Sequence, residues 1–444
     1  MTERRLYAIL VGLVLLLTLA WFLALPPGAV RSGFWPARNA LVNLSGILAI
    51  GCMSAGVILA ARPVQIEDVL GGLDKFYRLH RWFGIAGATF AVMHWLFENG
   101  PRWLVGAGWL TRPQRPGAPA AAVTGFDAFL ELREVAALAG EWGFYLMLVL
   151  VALALWRRFP YRWFFRAHRL LAAVYLALVF HSAIMMGRPY WAGPTGLLML
   201  LLMGAGSVAA VMSLFRRIGK SRRAVGVIER LTHHQDNAVL DVSVRLETAW
   251  PGHHAGQFAF VDFGGVEGAH PFTISSSWHR DGRLAFSIKG LGDYTRVLPE
   301  QLFVGQAVTV EGPYGRFHFR GGREHQIWIG GGIGITPFIA RLDALAERGS
   351  QGQVDLVYST RAPASAFIDH IRSLAEQAGV RFHLLVEQED GRLTLARLEE
   401  RVPQCQEAEV WFCGPLAFGR AIREAMVGRG FPAQRFHQEL FDMR

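Results

Sequence analysis

Cysteine is almost missing from this chain: three in 444 residues, Cys52, Cys405 and Cys413. Three thiols so spaced make neither a disulfide framework nor a zinc site. Internal repeats of fixed period and low-complexity tracts are missing too, so a repeat array is excluded. Charged residues are scarce at 18%, and residues 222–444 lack the long hydrophobic runs that crowd residues 1–218. The chain therefore reads as a membrane half followed by a soluble half. The formal net charge of +10 follows from basic loops beside apolar spans and needs no nucleic acid as partner.

About 20 apolar residues span the hydrocarbon core of a bilayer. Six stretches meet that need, near residues 6–26, 39–60, 79–98, 141–157, 170–187 and 192–214. Arg4 and Arg5 before an apolar core also fit a signal peptide. No small-residue cleavage site follows, and five further spans favour a polytopic protein. Basic residues gather before span one, between two and three (Arg62, Lys75, Arg78, Arg81), between four and five (Arg157 to Arg169) and after six (Arg216 to Arg223). By the positive-inside bias these loops are cytoplasmic, with both termini, in an integral protein of the cytoplasmic (inner) membrane. Arg102, Arg112, Arg115 and Arg133 lie sparsely in the outer loop 99–140.

Of fifteen histidines, the membrane half holds four: His80, His94, His168 and His181. Ionisable groups in a bilayer are costly and mark function. Neutral imidazole is a good iron ligand, and two imidazoles on facing helices hold a haem from both sides. Spans three and five run in the same direction, so His80 pairs with His168 near the cytoplasm and His94 with His181 near the outer face. Fourteen residues at about 1.5 Å each set the two levels roughly 21 Å apart. The fourteen-residue spacing keeps His80 and His94 on nearly one face. The thirteen-residue spacing turns His181 about 140° from His168. Either His168 sits at an irregular helix start or the helix is overwound.

With these residues in view, the membrane half resembles the ferric reductase-like transmembrane domain shared by NADPH oxidases, ferric-chelate reductases and bacterial relatives. The resemblance implies two b-type haems held by His80, His94, His168 and His181. Residues 224–320 are β-rich, with runs such as "AVLDVSVRL" and "AVTVEGPYG" broken by Gly and Pro, which predicts a small antiparallel barrel. "HPFTISS" (His270–Ser276) resembles the flavin motif of the ferredoxin reductase superfamily. By that resemblance His270, Pro271, Phe272 and Thr273 line FAD, with Thr273 near the isoalloxazine. "IKGLGDYT" (Ile288–Thr295) resembles the motif that holds the pyrophosphate, with Lys289, Gly290 and Thr295 as its candidates.

"HQIWIGGGIGITPF" (His325–Phe338) reads as strand, glycine turn and helix start, a seat for a dinucleotide pyrophosphate. It also matches the superfamily's nicotinamide-nucleotide motif, which assigns Gly331, Gly332, Gly334, Thr336 and Pro337. Arg361 ends "YSTR" at the next strand, where a guanidinium suits a 2′-phosphate. That favours NADPH, with NADH possible. "VWFCGP" places Cys413 beside the nicotinamide by resemblance, or makes it a buried structural cysteine. Phe441 is the candidate aromatic over the flavin ring, although it is not the last residue.

The expected architecture is a membrane all-α six-helix haem-binding bundle, residues 1–218. An antiparallel β-barrel FAD domain follows, residues 219–322, then an α/β NAD(P)H domain, residues 323–444. The resemblance implies a transmembrane oxidoreductase with a route from NADPH to FAD, inner haem, outer haem and an acceptor at the outer face, either a ferric chelate or O2. The lipid bilayer is its other partner. The rival is an electron-transfer cytochrome b subunit serving a membrane or periplasmic protein. Four past His94 stands Glu98, where some oxidases carry a histidine, which weakens the oxygen reading; Glu98 suits a cationic metal. Arg38, near the outer end of span two, is either a candidate for holding a haem propionate or an ordinary membrane-edge arginine.

Overall fold

Apolar side chains on every face of a helix leave it no aqueous side, and the first half is built of such helices. The computed structural model describes residues 3–26, 33–63, 66, 70–111, 132–156, 159, 161–265, 268–347, 349 and 352–438. It divides into two units, Met1–Ile218 and Gly219–Arg444.

In the first unit α1 (Glu3–Leu23), α2 (Phe34–Ala60), α3 (Leu73–Gly106), α4 (Arg133–Leu155), α5 (Tyr161–Met185) and α6 (Pro194–Leu214) follow in order. Among the described residues five helices are long and apolar enough to cross a membrane. The sequence predicts six. α3 is the longest helix yet is not one of the five, since Lys75, Arg78, His80, Arg81 and His94 dilute its hydropathy. α2 is the most enclosed, burying Ile47, Ile50, Cys52 and Ser54 against α1, α3 and α6. Leu15, Phe22, Leu197, Leu201 and Val208 face outward, as a lipid-facing exterior requires.

Several bounds differ from the predicted ones, with α2, α3, α4 and α5 starting at Phe34, Leu73, Arg133 and Tyr161, earlier than expected. α3 continues past residue 98 through Pro101 to Gly106. A proline inside a helix leaves the carbonyl four residues back without its donor. That carbonyl is Phe97, and Arg38 Nε donates to it at 2.9 Å. Arg38 also donates to the Glu98 carbonyl at 2.9 Å and pairs with its carboxylate at 2.5 Å. So the guanidinium closes the gap that Pro101 opens. α5 starts at Tyr161, so His168 lies inside a continuous helix and not at an irregular start. Arg112, Arg115, Arg157 and Arg158 lie outside the described residues.

The second unit begins with a six-stranded antiparallel sheet. Its strands are β1 (Arg223–His234), β2 (Val239–Leu246), β3 (Phe258–Asp262), β4 (His270–Thr273), β5 (Arg283–Lys289) and β6 (Ala307–Tyr314), in the order β4-β3-β6-β1-β2-β5. α7 (Asp293–Gln301) lies between β5 and β6 in the chain. The predicted antiparallel strands are present as this sheet, whose edge strand β5 meets the chain just after the other edge, β4, through the bridge Ile274 to Phe286 and not through a strand ladder. Alternating burial puts Val242, Val244, Leu284, Phe286 and Val310 in one core.

A five-stranded parallel sheet follows, in the order β11-β10-β7-β8-β9. It is formed by β7 (Gln326–Gly331), β8 (Val354–Thr360), β9 (Arg381–Val386), β10 (Glu409–Cys413) and β11 (Phe436–Gln438). α8 (Thr336–Ala346) and α9 (Ser365–Gln377) cover one face. α10 (Leu395–Arg401) and α11 (Leu416–Gly428) cover the other. Covered on both faces, its strands are nearly continuous apolar runs.

One buried carboxylate ties three strand starts together. Asp355, 1% exposed, accepts from His383 Nε2 at 2.8 Å, from Arg381 Nε at 2.8 Å and from His325 Nε2 at 2.8 Å. Burial works to raise its pKa, but these donors outweigh it and hold the carboxyl well below the usual range. A depressed carboxylate contributes stability that is complete above its unfolded pKa of about 4 and is lost as pH falls through the folded value. Asp355→Ala is expected to cost about 2–4 kcal/mol at pH 7, since donors to a buried charge lose their acceptor. The difference from wild type should shrink as pH drops below about 4. Thermal melts of the full chain at several pH values check both points.

Candidate functional site

His80 and His94 on α3 meet His168 and His181 on α5. The rings of His80 and His168 stand 5.8 Å apart, centre to centre, at 74°. Those of His94 and His181 stand 6.3 Å apart at 84°. Three of the four Nδ1 atoms reach backbone carbonyls: His80 to Gly56 at 2.7 Å, His94 to Val42 at 2.9 Å and His181 to Ala136 at 2.8 Å. A carbonyl oxygen only accepts, so Nδ1 carries the proton and Nε2 keeps its lone pair. This is the tautomer and the orienting bond that a metal-ligating imidazole needs. His168 Nδ1 is buried without a hydrogen-bond partner among the described residues, and its ring stacks on Phe164 at 5.1 Å. Among the described residues no group of three or more His, Cys, Asp or Glu is placed to hold a metal ion. Arg38 and Glu98 are bound to each other, and with Trp35, Pro101, Arg102 and Val105 they line a cavity of about 380 Å³.

In the second unit His270, Pro271, Phe272 and Thr273 form β4, paired with β3 in the register Phe258 to Thr273 and Val261 to His270. All four are half-buried. His270 stacks on Tyr294 of α7 at 3.8 Å. Burial pushes its imidazole down to about 4, against a smaller upward pull from Asp262, so the ring is neutral at pH 7. Lys289 ends β5, and the Gly290 N–H donates to Ala238 at 2.9 Å. The two flavin motifs, on opposite edges of the sheet, come together through the Ile274 bridge and the His270–Tyr294 stack. The Thr295 hydroxyl accepts from the N–H groups of Leu291 at 3.0 Å and Gly292 at 3.1 Å. It shapes the glycine turn from within.

In the parallel sheet the chain order reverses between β7 and β10, the crevice where such sheets bind ligands beyond their strand ends. The loop after β7 is Gly331 to Ile335, and Thr336 opens α8, its hydroxyl donating to the Ile333 carbonyl at 3.1 Å. Pro337 occupies the first turn, where its missing N–H costs nothing. The loop after β10 is Cys413 to Pro415. A Cβ on Gly334 would fall 2.3 Å from the Cys413 carbonyl oxygen, so the loops touch backbone to backbone. Cys413 is buried in the core beside Trp411 and Ile335. Arg361, 70% exposed, is held by the Glu387 carboxylate, which Arg392 also binds at 2.7 Å. Phe441 lies outside the described residues.

Sequence reasoning missed Tyr294, Glu387 and a strap between the sheets. Ser277 donates to Asp343 of α8 through its N–H and its hydroxyl, both at 2.8 Å, and His279 bridges Asp343 and Glu347. Only "DYT" inside the second motif signalled Tyr294. The others are distant in sequence and carry no local pattern.

Three family models match the chain: a ferric reductase like transmembrane component over residues 45–179, a FAD-binding domain over 229–318 and an oxidoreductase NAD-binding domain over 328–424. The chain is 29% identical over 205 residues to the stachydrine N-demethylase reductase subunit of Rhizobium meliloti, covering 43% of this chain and 58% of that one. It is 27% identical over 220 residues to the reductase component of propane 2-monooxygenase of Rhodococcus jostii, covering 45% and 59%. The chain thus spans somewhat over half the length of these curated relatives. Among solved structures, the flavohem-like FAD/NAD binding domain of nitric oxide dioxygenase from Vibrio cholerae aligns at 20% identity, 49% of this chain, 98% of that one and a TM-score of 0.44.

Proposed function

We propose that this chain, which joins a ferric reductase-like transmembrane component to the FAD-binding and NAD-binding domains of an oxidoreductase, passes electrons from NADPH through the membrane to a ferric chelate or O2 outside. FAD, when bound, supplies the change from paired to single electrons, and two b-type haems supply one-electron carriers within lipid. The observation that carries the reading is the two facing imidazole pairs. Their ring centres stand 5.8 and 6.3 Å apart, so each pair would be near enough to hold one haem iron from both sides.

His80 with His168 hold the inner haem and His94 with His181 the outer one. His270, Pro271, Phe272 and Thr273 line the flavin, and Lys289 with the turn at Gly290 meets its phosphates. Gly331, Gly332 and Gly334 let the nucleotide pyrophosphate approach the first N–H groups of α8, which Thr336 and Pro337 set in place. Arg361 releases Glu387 to take a 2′-phosphate. Cys413, buried at the end of β10, would lie on the nicotinamide side, and Phe441 is the candidate aromatic for the flavin ring. The basic loops support a cytoplasmic placement of both termini, and the apolar helices an integral place in the inner membrane. Each electron moved outward against about 100 mV costs roughly 2.3 kcal/mol, which the drop from NADPH must exceed.

The test is to reduce purified protein with NADPH under argon, then add O2 or ferric citrate and follow haem reoxidation by absorbance. Fast return with one acceptor alone removes the other. Indifference to both leaves the partner-serving reading, which the relatives' names as reductase subunit and component support.

A further inference from the structure

All three carbonyls that take the imidazole protons lie within helices, where each already receives the N–H four residues on. Gly56 gives its own oxygen to His80, and a Cβ there would stand 3.8 Å from His80 Nδ1, an ordinary contact. The carbonyls of Val42 and Ala136 belong to residues that are not glycine. Four on from Val42 is Gly46, and four on from Ala136 is Gly140. A Cβ on Gly46 would stand 3.2 Å from His94 Nδ1 and 3.3 Å from its Cε1. On Gly140 it would fall 2.2, 2.4 and 2.7 Å from Nδ1, Cε1 and Cγ of His181.

We infer that Gly46 and Gly140 are positioning residues: each omits a Cβ so that an outer imidazole lies against its helix and shares a carbonyl with the helix's own N–H. On α2, Ser45 borders the seat, its hydroxyl donating to Leu41 at 2.8 Å and Val42 at 3.1 Å, and lying 3.5 Å from His94 Nδ1. Both outer rings are therefore tied at Nδ1, whereas in the inner pair only His80 is. The inference rests on the haem reading and makes the two centres unlike. A tied Nδ1–H makes the imidazole a more basic ligand, and two such ligands favour ferric iron, so the seats pull the outer centre's reduction potential down.

The experiment uses the full chain, loaded with haemin and FAD. Wild type is first counted for haem. Fewer than two per chain defeats the haem reading, and the seats are then judged on the melting cycle alone. Gly140→Ala is expected to fall to one haem per chain while NADPH still reduces the flavin. Gly46→Ala, where crowding is milder, should keep two haems, raise the midpoint of the outer one and change its low-spin resonance. Gly204→Ala, with nothing within 4 Å, should leave both unchanged. In thermal melting, Gly140→Ala should destabilise the wild-type background and cost little once His181→Ala has emptied the seat, a non-additive pair. Two haems with wild-type resonance in Gly140→Ala, or an equal loss of melting temperature in both backgrounds, would overturn the inference.

Discussion

Protein carrying His94→Ala is expected to hold one haem per chain and to lose electron flow to outside acceptors by more than about 100-fold, since losing the ligand exceeds the 10–100-fold cost of losing a ligand's support. His94 and His80 are fourteen residues apart on one helix, so about 21 Å separates the levels. Without the outer carrier that distance must be crossed in one step. Flavin reduction by NADPH should keep its wild-type rate, because its residues lie in the other unit. Pyridine haemochrome counts and stopped-flow absorbance under argon measure the two halves separately. Slowed flavin reduction in a folded variant would contradict the layout. So would two retained haems.

Gly334→Ala should act on the opposite end of the route. The added Cβ would sit 2.3 Å from the Cys413 oxygen, 2.5 Å from its carbonyl carbon and 2.7 Å from Gly414 N. These are backbone atoms, so no side-chain rotation relieves the clash, and overpacking of this kind costs about 1–3 kcal/mol. Gly414 is also close-packed, though less tightly, its own Cβ position 3.0 Å from Gly331 Cα. The loops after β7 and β10 must therefore part, and a shift of about 1 Å in the bound nicotinamide slows transfer by on the order of 100-fold. NADPH should bleach the flavin slowly in this variant and at the wild-type rate in Gly322→Ala, where nothing lies within 4 Å. Equal rates in the two would remove the proposed role of the glycine turn.

The apolar runs, read by length and hydropathy, locate helices α1, α2, α4, α5 and α6, and the glycine turn between strand and helix locates the nucleotide crevice. Periodicity and propensity are local, and these features need nothing else. The four membrane histidines were legible because imidazole is costly in lipid and stands out there. The extent of α3 was not, because the donor that repairs Pro101 comes from Arg38, far away in the chain. Alternation marked the strands of the antiparallel sheet, but how its edges meet, through the Ile274 to Phe286 bridge, depends on partners far apart in the chain. Arg361 and Thr295 are legible in the sequence only as polar groups within motifs. Their observed partners, Glu387 and the N–H groups of Leu291 and Gly292, are settled only by the turn and the neighbouring strand.

What the sequence determined by itself is which residue types sit where: imidazoles within apolar helices, glycines between strand and helix, a guanidinium at a strand end. What only the tertiary structure decided is which nitrogen is tied and which is left open in three of the four imidazoles. The acceptors there are the backbone carbonyls of Val42, Gly56 and Ala136. Every residue has such a carbonyl, so no letter of the sequence marks one, and packing alone selects it.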